Sequence, residues 1–84
     1  MTVTTTPNWA PLEARLGGDS GAIREFMWMY GDEDTRIDYY KHSATRRYLL
    51  LHQDGRCFQQ TEDGLVQVDF QEELGRVRET EEDK

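Results

Sequence analysis

The fold is decided by residues 46–61, which read RRYLLLHQDGRCFQQT. Asp54-Gly55 is the strongest short signal for a β-hairpin, because a type I′ turn needs a positive φ at both of its central residues. Aromatic and branched side chains stand on both sides of this turn, as is typical of strands. We therefore predict one strand over residues 46–53 and a second over residues 56–61.

Three further strands surround this hairpin, and the five together form an antiparallel meander. We predict them over residues 25–30, 35–42 and 65–69, joined by loops at 31–34, 43–45 and 62–64. These loops place large apolar side chains on one face of the sheet: Phe26, Trp28, Ile37, Tyr39, Leu49, Leu51, Phe58, Val66 and Val68. A shift of one residue would invert a strand, so this agreement supports the meander.

Two helices are predicted to cover that apolar face. Asn8 is expected to cap a short helix over residues 9–16, and Gly17-Gly18 supplies its end. Asp69 begins the second helix, since Asp69 and Glu72 resemble a capping box. The fold class is therefore α+β, a five-stranded meander with a short N-terminal helix and a C-terminal helix on one face.

The segment before the first strand is ambiguous. Ile23, Phe26, Met27 and Tyr30 fit one face of a helix, whereas alternate residues from Phe26 to Tyr30 fit one face of a strand. The aromatic content favours the strand, so we predict a brief helical turn at 20–24 followed by a strand.

The length of the chain limits what it can be. Its 84 residues and 9.9 kDa allow one domain, which we place at residues 8–78, between a flexible N-terminal tail (1–7) and an acidic C-terminal tail (79–84). Cys57 is the only cysteine, which excludes an internal disulfide and a cysteine-based zinc site. No apolar run approaches the roughly 20 residues that span a bilayer. The N-terminus also lacks the features of a signal peptide, so we expect a cytoplasmic protein without a membrane partner.

Charge is unevenly distributed along the chain, whose formal net charge is −7. Residues 36–56 carry five basic and two acidic side chains, a net charge of +3, and both flanking regions are acidic. The acidic whole disfavours long-range attraction to nucleic acid. It does not exclude a local nucleic-acid site within the basic residues 36–56.

The opposite face of the predicted sheet mixes apolar and polar residues, and it is our candidate partner-binding face. It comprises Met27, Met29, Arg36, Tyr40, His42, Arg46, Tyr48, Leu50 and His52. It could be structural, if the sheet curls. It could bind a protein or a second copy of the chain, since exposed apolar patches mark interfaces. It could also bind a nucleic-acid single strand, with Tyr40 and Tyr48 stacking on bases while Arg36 and Arg46 hold phosphates.

Catalytic and metal-binding patterns are weak in this sequence. His52 and Cys57 come opposite each other in the predicted hairpin, but no third group orients the histidine, and a structural cysteine is the preferred interpretation. His42 and His52 are expected at opposite ends of one hairpin, too far apart to share a metal. Residues 32–34 are acidic but lack the spacing of an EF-hand loop. We therefore predict a non-enzymatic interaction or regulatory module without a cofactor. Its partner is another protein or a second copy of the chain, in which case the module is a homodimer. Single-stranded nucleic-acid binding is the alternative prediction.

Overall fold

The computed structural model describes residues 3–4 and 6–79, which form one antiparallel sheet with helices on one side. The strands are β1 (Val3–Thr4), β2 (Phe26–Asp32), β3 (Ile37–His42), β4 (Tyr48–His52), β5 (Cys57–Thr61) and β6 (Gly64–Val68). The helices are α1 (Ala10–Leu16), α2 (Ser20–Ile23) and α3 (Phe70–Arg78). Neighbours in the sheet follow the order of the chain, so the predicted α+β meander is confirmed.

The structure adds one short strand to the predicted five. Val3 and Thr4 pair with Asp32 and Gly31, at the edge of the sheet. This strand falls inside the segment predicted as a flexible tail, of which residues 1, 2 and 5 lie outside the described residues. The predicted acidic tail also lies largely outside them, because only its first residue, Glu79, is described.

The predicted helix boundaries hold to within a residue. α1 begins one position later than predicted, so Trp9 and not Asn8 is its N-cap residue. The Oδ1 atom of Asn8 still accepts a hydrogen bond from the Ala10 N–H at 3.3 Å. It ends at Gly17, which adopts the left-handed conformation that glycine favours. α3 begins after Asp69, whose carboxylate accepts from the Glu72 N–H at 3.1 Å.

The register of the hairpins differs from the prediction. In the β4–β5 hairpin, Leu51 lies opposite Cys57 instead of Phe58. The loop is longer than the predicted two residues, because the His52 N–H donates to the Arg56 carbonyl at 2.8 Å and closes a three-residue loop over 53–55. Asp54 stabilises that loop by accepting from the Arg56 N–H at 3.0 Å.

The β2–β3 and β3–β4 loops share one geometry that we did not predict. Residues 33–36 and 43–46 each form a four-residue loop that ends in an arginine with positive φ, 62° at Arg36 and 65° at Arg46. The side chain before each loop caps it: Asp32 accepts from the Asp34 N–H, and His42 Nδ1 accepts from the N–H groups at positions 44 and 45. These caps compensate for the left-handed backbone, which costs a residue with a Cβ about 1–2 kcal/mol.

These shifts invert two strands relative to the prediction. On β3, Tyr40 and His42 point toward the helices, whereas Tyr39 points to the opposite side; on β5, Cys57 and Phe58 exchange places in the same way. The core consists of Leu12, Phe26, Tyr40, Leu49, Leu51, Cys57, Phe70, Leu74 and Val77. The predicted placement of Tyr40 and His42 on the open side is therefore wrong, since they are 0% and 4% exposed.

The C-terminal end of α3 is tied to distant parts of the chain. The last carbonyls of a helix lack partners within it. Thr45 Oγ1 donates to the Val77 carbonyl at 2.6 Å, and the Arg47 guanidinium donates to the Arg76 carbonyl. Arg78 makes a bidentate pair with the Glu25 carboxylate, at 2.9 and 3.0 Å. The end of α3 and the β3–β4 loop thus stabilise each other.

Candidate interaction surface

An aromatic row crosses the side of the sheet that faces away from the helices. We call this side the open face and define the aromatic row as Tyr30, Tyr39, Leu50 and Phe58, which lie opposite one another on successive strands. The rings of Tyr30 and Tyr39 stack with their centroids 4.4 Å apart. Leu50 is only 2% exposed although it points away from the helices, because its neighbours in the row flank it. The open face thus has a compact apolar centre.

Exposed apolar side chains extend the aromatic row toward one end of the sheet. Met27, Lys41 and Tyr48 are paired across β2, β3 and β4. Met27 is 43% exposed and Tyr48 37%, which makes them two of the four most exposed large hydrophobic residues described. Met29 is a third, and it lies at the irregularity in β2 between Trp28 and Tyr30. This end of the open face leaves apolar surface in water.

The aromatic rings of the open face already have partners on their π surfaces. The Arg56 guanidinium lies 5.5 Å from the Phe58 ring centroid, and the Lys41 ammonium lies 5.9 Å from that of Tyr48. Tyr39 is stacked on Tyr30, and burial, followed by the electrostatic influence of Tyr30, raises its pKa. A planar ligand would have to compete with these contacts, whereas a partner's side chains can pack against the exposed ring edges.

Charge is sparse and balanced on the open face. Apart from tyrosine, the ionisable side chains that its described strands direct to this side are Asp32, Lys41 and His52. The adjoining loop adds Arg56, which lies against Phe58 and pairs with the Asp54 carboxylate at 2.8 Å. Asp32 is largely buried, at 9% exposure, and accepts a hydrogen bond within its own loop. This near-neutral surface belongs to a chain with a net charge of −7.

The structure brings together only part of the predicted partner-binding face. Met27, Tyr48, Leu50 and His52 lie on the open face, and Met29 lies beside it. Arg36 and Arg46 are exposed, but they occupy loops at opposite ends of β3. The prediction missed Tyr30, Tyr39 and Phe58. They were missed because the register is shifted; in particular, both loops that flank β3 end later than predicted, at Arg36 and Arg46, which the residue types do not signal.

Tyr40 and His42 have structural partners on the helix side. The Tyr40 hydroxyl donates to the Asn8 carbonyl at 2.5 Å, and burial together with the nearby Asp38 carboxylate raises its pKa. His42 Nδ1 accepts from the β3–β4 loop, so Nε2 carries the proton and donates to Glu25 Oε1 at 3.0 Å. That contact, opposed by burial and supported by Arg78, lowers the pKa of Glu25.

A buried polar network lies beside an open cleft of about 360 Å³ between residues 6–8 and the adjoining ends of β2 and β3. Asp38 is 2% exposed, and its carboxylate accepts from Trp28 Nε1 at 3.0 Å and from Asn8 Nδ2 at 3.2 Å. Its hydrogen bonds are therefore made within the protein. Among residues 3–4 and 6–79, no group of three or more histidine, cysteine or acidic side chains is arranged to hold a metal ion.

The predicted proximity of His52 and Cys57 is not found. Cys57 lies opposite Leu51 and is 1% exposed, on the side of the sheet that the helices cover, whereas His52 points to the open face. Burial, followed by the nearby Glu73 carboxylate, raises the pKa of the Cys57 thiol to about 12. A nucleophilic thiolate would need the opposite shift.

Comparisons with known protein families, with curated proteins and with solved structures gave no match. In the part of the chain that the structure describes, no helix has the length and apolar character needed to cross a membrane.

Proposed function

We propose that this chain is a non-enzymatic protein-interaction module that binds its partner on the open face. The observation that carries the proposal is the aromatic row, continued by exposed Met27 and Tyr48, on a side whose charged groups are few and nearly balanced. Aromatic and methionine side chains are enriched at protein interfaces, and charged ones are depleted at their centres. We place this activity in the cytoplasm, because a reducing compartment keeps a single thiol such as that of Cys57 unpaired.

Photo-crosslinking tests the proposal directly. Tyr48 is replaced by the photoreactive residue p-benzoylphenylalanine, and Gln71, an exposed residue of α3 on the other side of the molecule, receives the same replacement as a control. We expect protein adducts from position 48 and few from position 71 after irradiation in cells of the source organism. Equal yields from the two positions, or none from position 48, would reject the open face as a binding surface.

Single-stranded nucleic-acid binding ranks second as a function of the same surface. Tyr40 cannot stack on a base because it is buried, so the platform would reduce to Tyr48 beside Lys41, with Arg46 following at the same end of β3. The occupied π surfaces and the net charge of −7 weigh against it. If the surface binds nucleic acid, Lys41→Ala should reduce the salt dependence of binding to a labelled oligonucleotide. Absence of binding at low salt would exclude this second function.

A further inference from the structure

We propose that the partner is a second copy of this chain, packed open face against open face; this inference rests on the proposed function. Two chains of net charge −7 repel each other, and their closest approach is least costly where local charge is balanced. The open face meets that condition, since the charge of Lys41 is balanced by that of the largely buried Asp32 and Arg56 is paired with Asp54. The same side holds the exposed Tyr48 ring, which self-association would remove from water.

The edge of the sheet offers the competing route, and its charges oppose that route. β6 is an edge strand, and Val66 at its centre is 41% exposed. If two copies of β6 paired antiparallel about Val66, Asp63 of one copy would face Asp69 of the other. Like charges placed opposite each other destabilise a strand pair. Acidic residues at both ends thus protect this edge, as native proteins commonly do.

One face-to-face arrangement brings opposite charges together. A two-fold axis parallel to the strands, between β4 and β5, would place Leu50 of each copy on Phe58 of the other. The β3–β4 and β5–β6 loops lie at the same end of the sheet, one strand spacing on either side of this axis. The axis therefore places the loop bearing Arg46 of one copy over the loop bearing Glu62 and Asp63 of the other copy. All three of these residues are exposed. This complementarity selects one dimer geometry.

The size of the open face determines the strength of the dimer. With the axis between β4 and β5, strands β3 to β6 of the two copies overlap, and four strands spaced about 4.8 Å apart and about 17 Å long present roughly 330 Å² per copy. The total of roughly 650 Å², before the loops contribute, lies below the roughly 1,200–2,000 Å² of stable specific interfaces, in the size range of weak and transient association. We therefore expect a monomer–dimer equilibrium that depends on concentration.

Sedimentation equilibrium of the full chain over a wide range of concentrations tests this dimer. Tyr48→Glu places a charge on the open face, and Val66→Glu places the same charge at a similarly exposed apolar position on the edge strand. We expect Tyr48→Glu to raise the dimer dissociation constant about tenfold or more, and Val66→Glu to change it by about twofold at most. Arg46→Glu and Glu62→Arg should each weaken the dimer, and the double variant should restore it.

Three results would overturn the inference: a wild-type chain that stays monomeric, an effect of Val66→Glu as large as that of Tyr48→Glu, or a double variant as weak as its singles. Circular dichroism of each variant separates lost association from lost folding. The photo-crosslinks distinguish this inference from the proposed function. Adducts of position 48 with other proteins, made by a monomeric wild type, reject the second copy and retain the binding surface; absence of all adducts rejects both.

Discussion

Replacing Asp38 by asparagine should destabilise the protein even though it removes a buried charge. The carboxylate accepts from Trp28 Nε1 and from Asn8 Nδ2, one donor on each oxygen. The asparagine amide keeps one accepting oxygen and presents an NH2 group to the other donor. Asn8 cannot reverse its own amide without losing the bond from the Ala10 N–H. One half-buried donor therefore loses its acceptor.

The magnitude follows from the balance of two effects. A hydrogen bond to a charged group contributes about 1.5–3 kcal/mol, and a buried donor without an acceptor costs about 1–3 kcal/mol. Removal of the buried charge offsets part of this loss of stability, because the charged carboxylate had lost its hydration on folding. We expect Asp38→Asn to lower the free energy of unfolding by about 1–2 kcal/mol, and Asp38→Ala, which strands both donors, to lower it by about 2–4 kcal/mol.

Urea unfolding followed by circular dichroism at neutral pH measures these differences. Asp63→Asn is the matched control, because Asp63 is exposed in the β5–β6 loop and the change should stay within about 0.5 kcal/mol. In thermal unfolding, 1 kcal/mol corresponds to about 4–8 °C in a domain of this size. An Asp38→Asn variant as stable as the wild type would show that desolvation of the carboxylate outweighs its hydrogen bonds.

Three other predictions test the helix, an ion pair and the buried thiol. Gly75→Ala should raise the free energy of unfolding by about 0.5–1 kcal/mol, because Gly75 lies within α3 with open space around an added Cβ. Gly64→Ala should lower the free energy of unfolding, because Gly64 has a φ of 114°. Urea titrations in which both variants changed stability in the same direction would contradict this prediction. The pKa of Glu25 is lower in the folded than in the unfolded protein, so its stabilising effect is complete above the unfolded pKa and lost as the pH falls through the folded one. Glu25→Gln should therefore be less stable than the wild type at neutral pH, but lose less stability between about pH 5 and pH 3 in acid titrations. Cys57 should react with a thiol reagent at mildly alkaline pH only when the protein unfolds, because burial raises its pKa to about 12, and a fast reaction of the native protein would refute its placement in the core.

The sequence predicted the order of the elements because their signals are local. Asp54-Gly55 marked a hairpin, although only Gly55 has the positive φ predicted for both residues. Asp69 marked the start of α3 and Gly17 the end of α1, each through a cap or backbone conformation that few residue types provide. Each of these features involves a handful of neighbouring residues. The strand order then followed, since short loops join antiparallel neighbours.

The register was not predictable by the same reasoning. Arg36 and Arg46 end their loops in a conformation usually taken by glycine or asparagine, and nothing in the residue type announces it. The side chains of Asp32 and His42 make these loops possible by accepting backbone hydrogen bonds, a role that is visible only in three dimensions. This is why Tyr48 and Leu50 were placed correctly on β4, whereas Tyr40 was assigned to the wrong side of β3.

The ties at the end of α3 affect when the protein can finish folding. The strands β2 to β6 pair with sequence neighbours, so their hairpins can form as the chain lengthens. Closure of the core depends instead on a late segment, because the contacts of Val77 and Arg78 reach back to Thr45 and Glu25. A nascent chain that stops before Val77 leaves the part of the helix-facing side that α3 covers, on β4 and β5, open to water. During synthesis, the sheet must therefore wait for the last described helix before its core is closed.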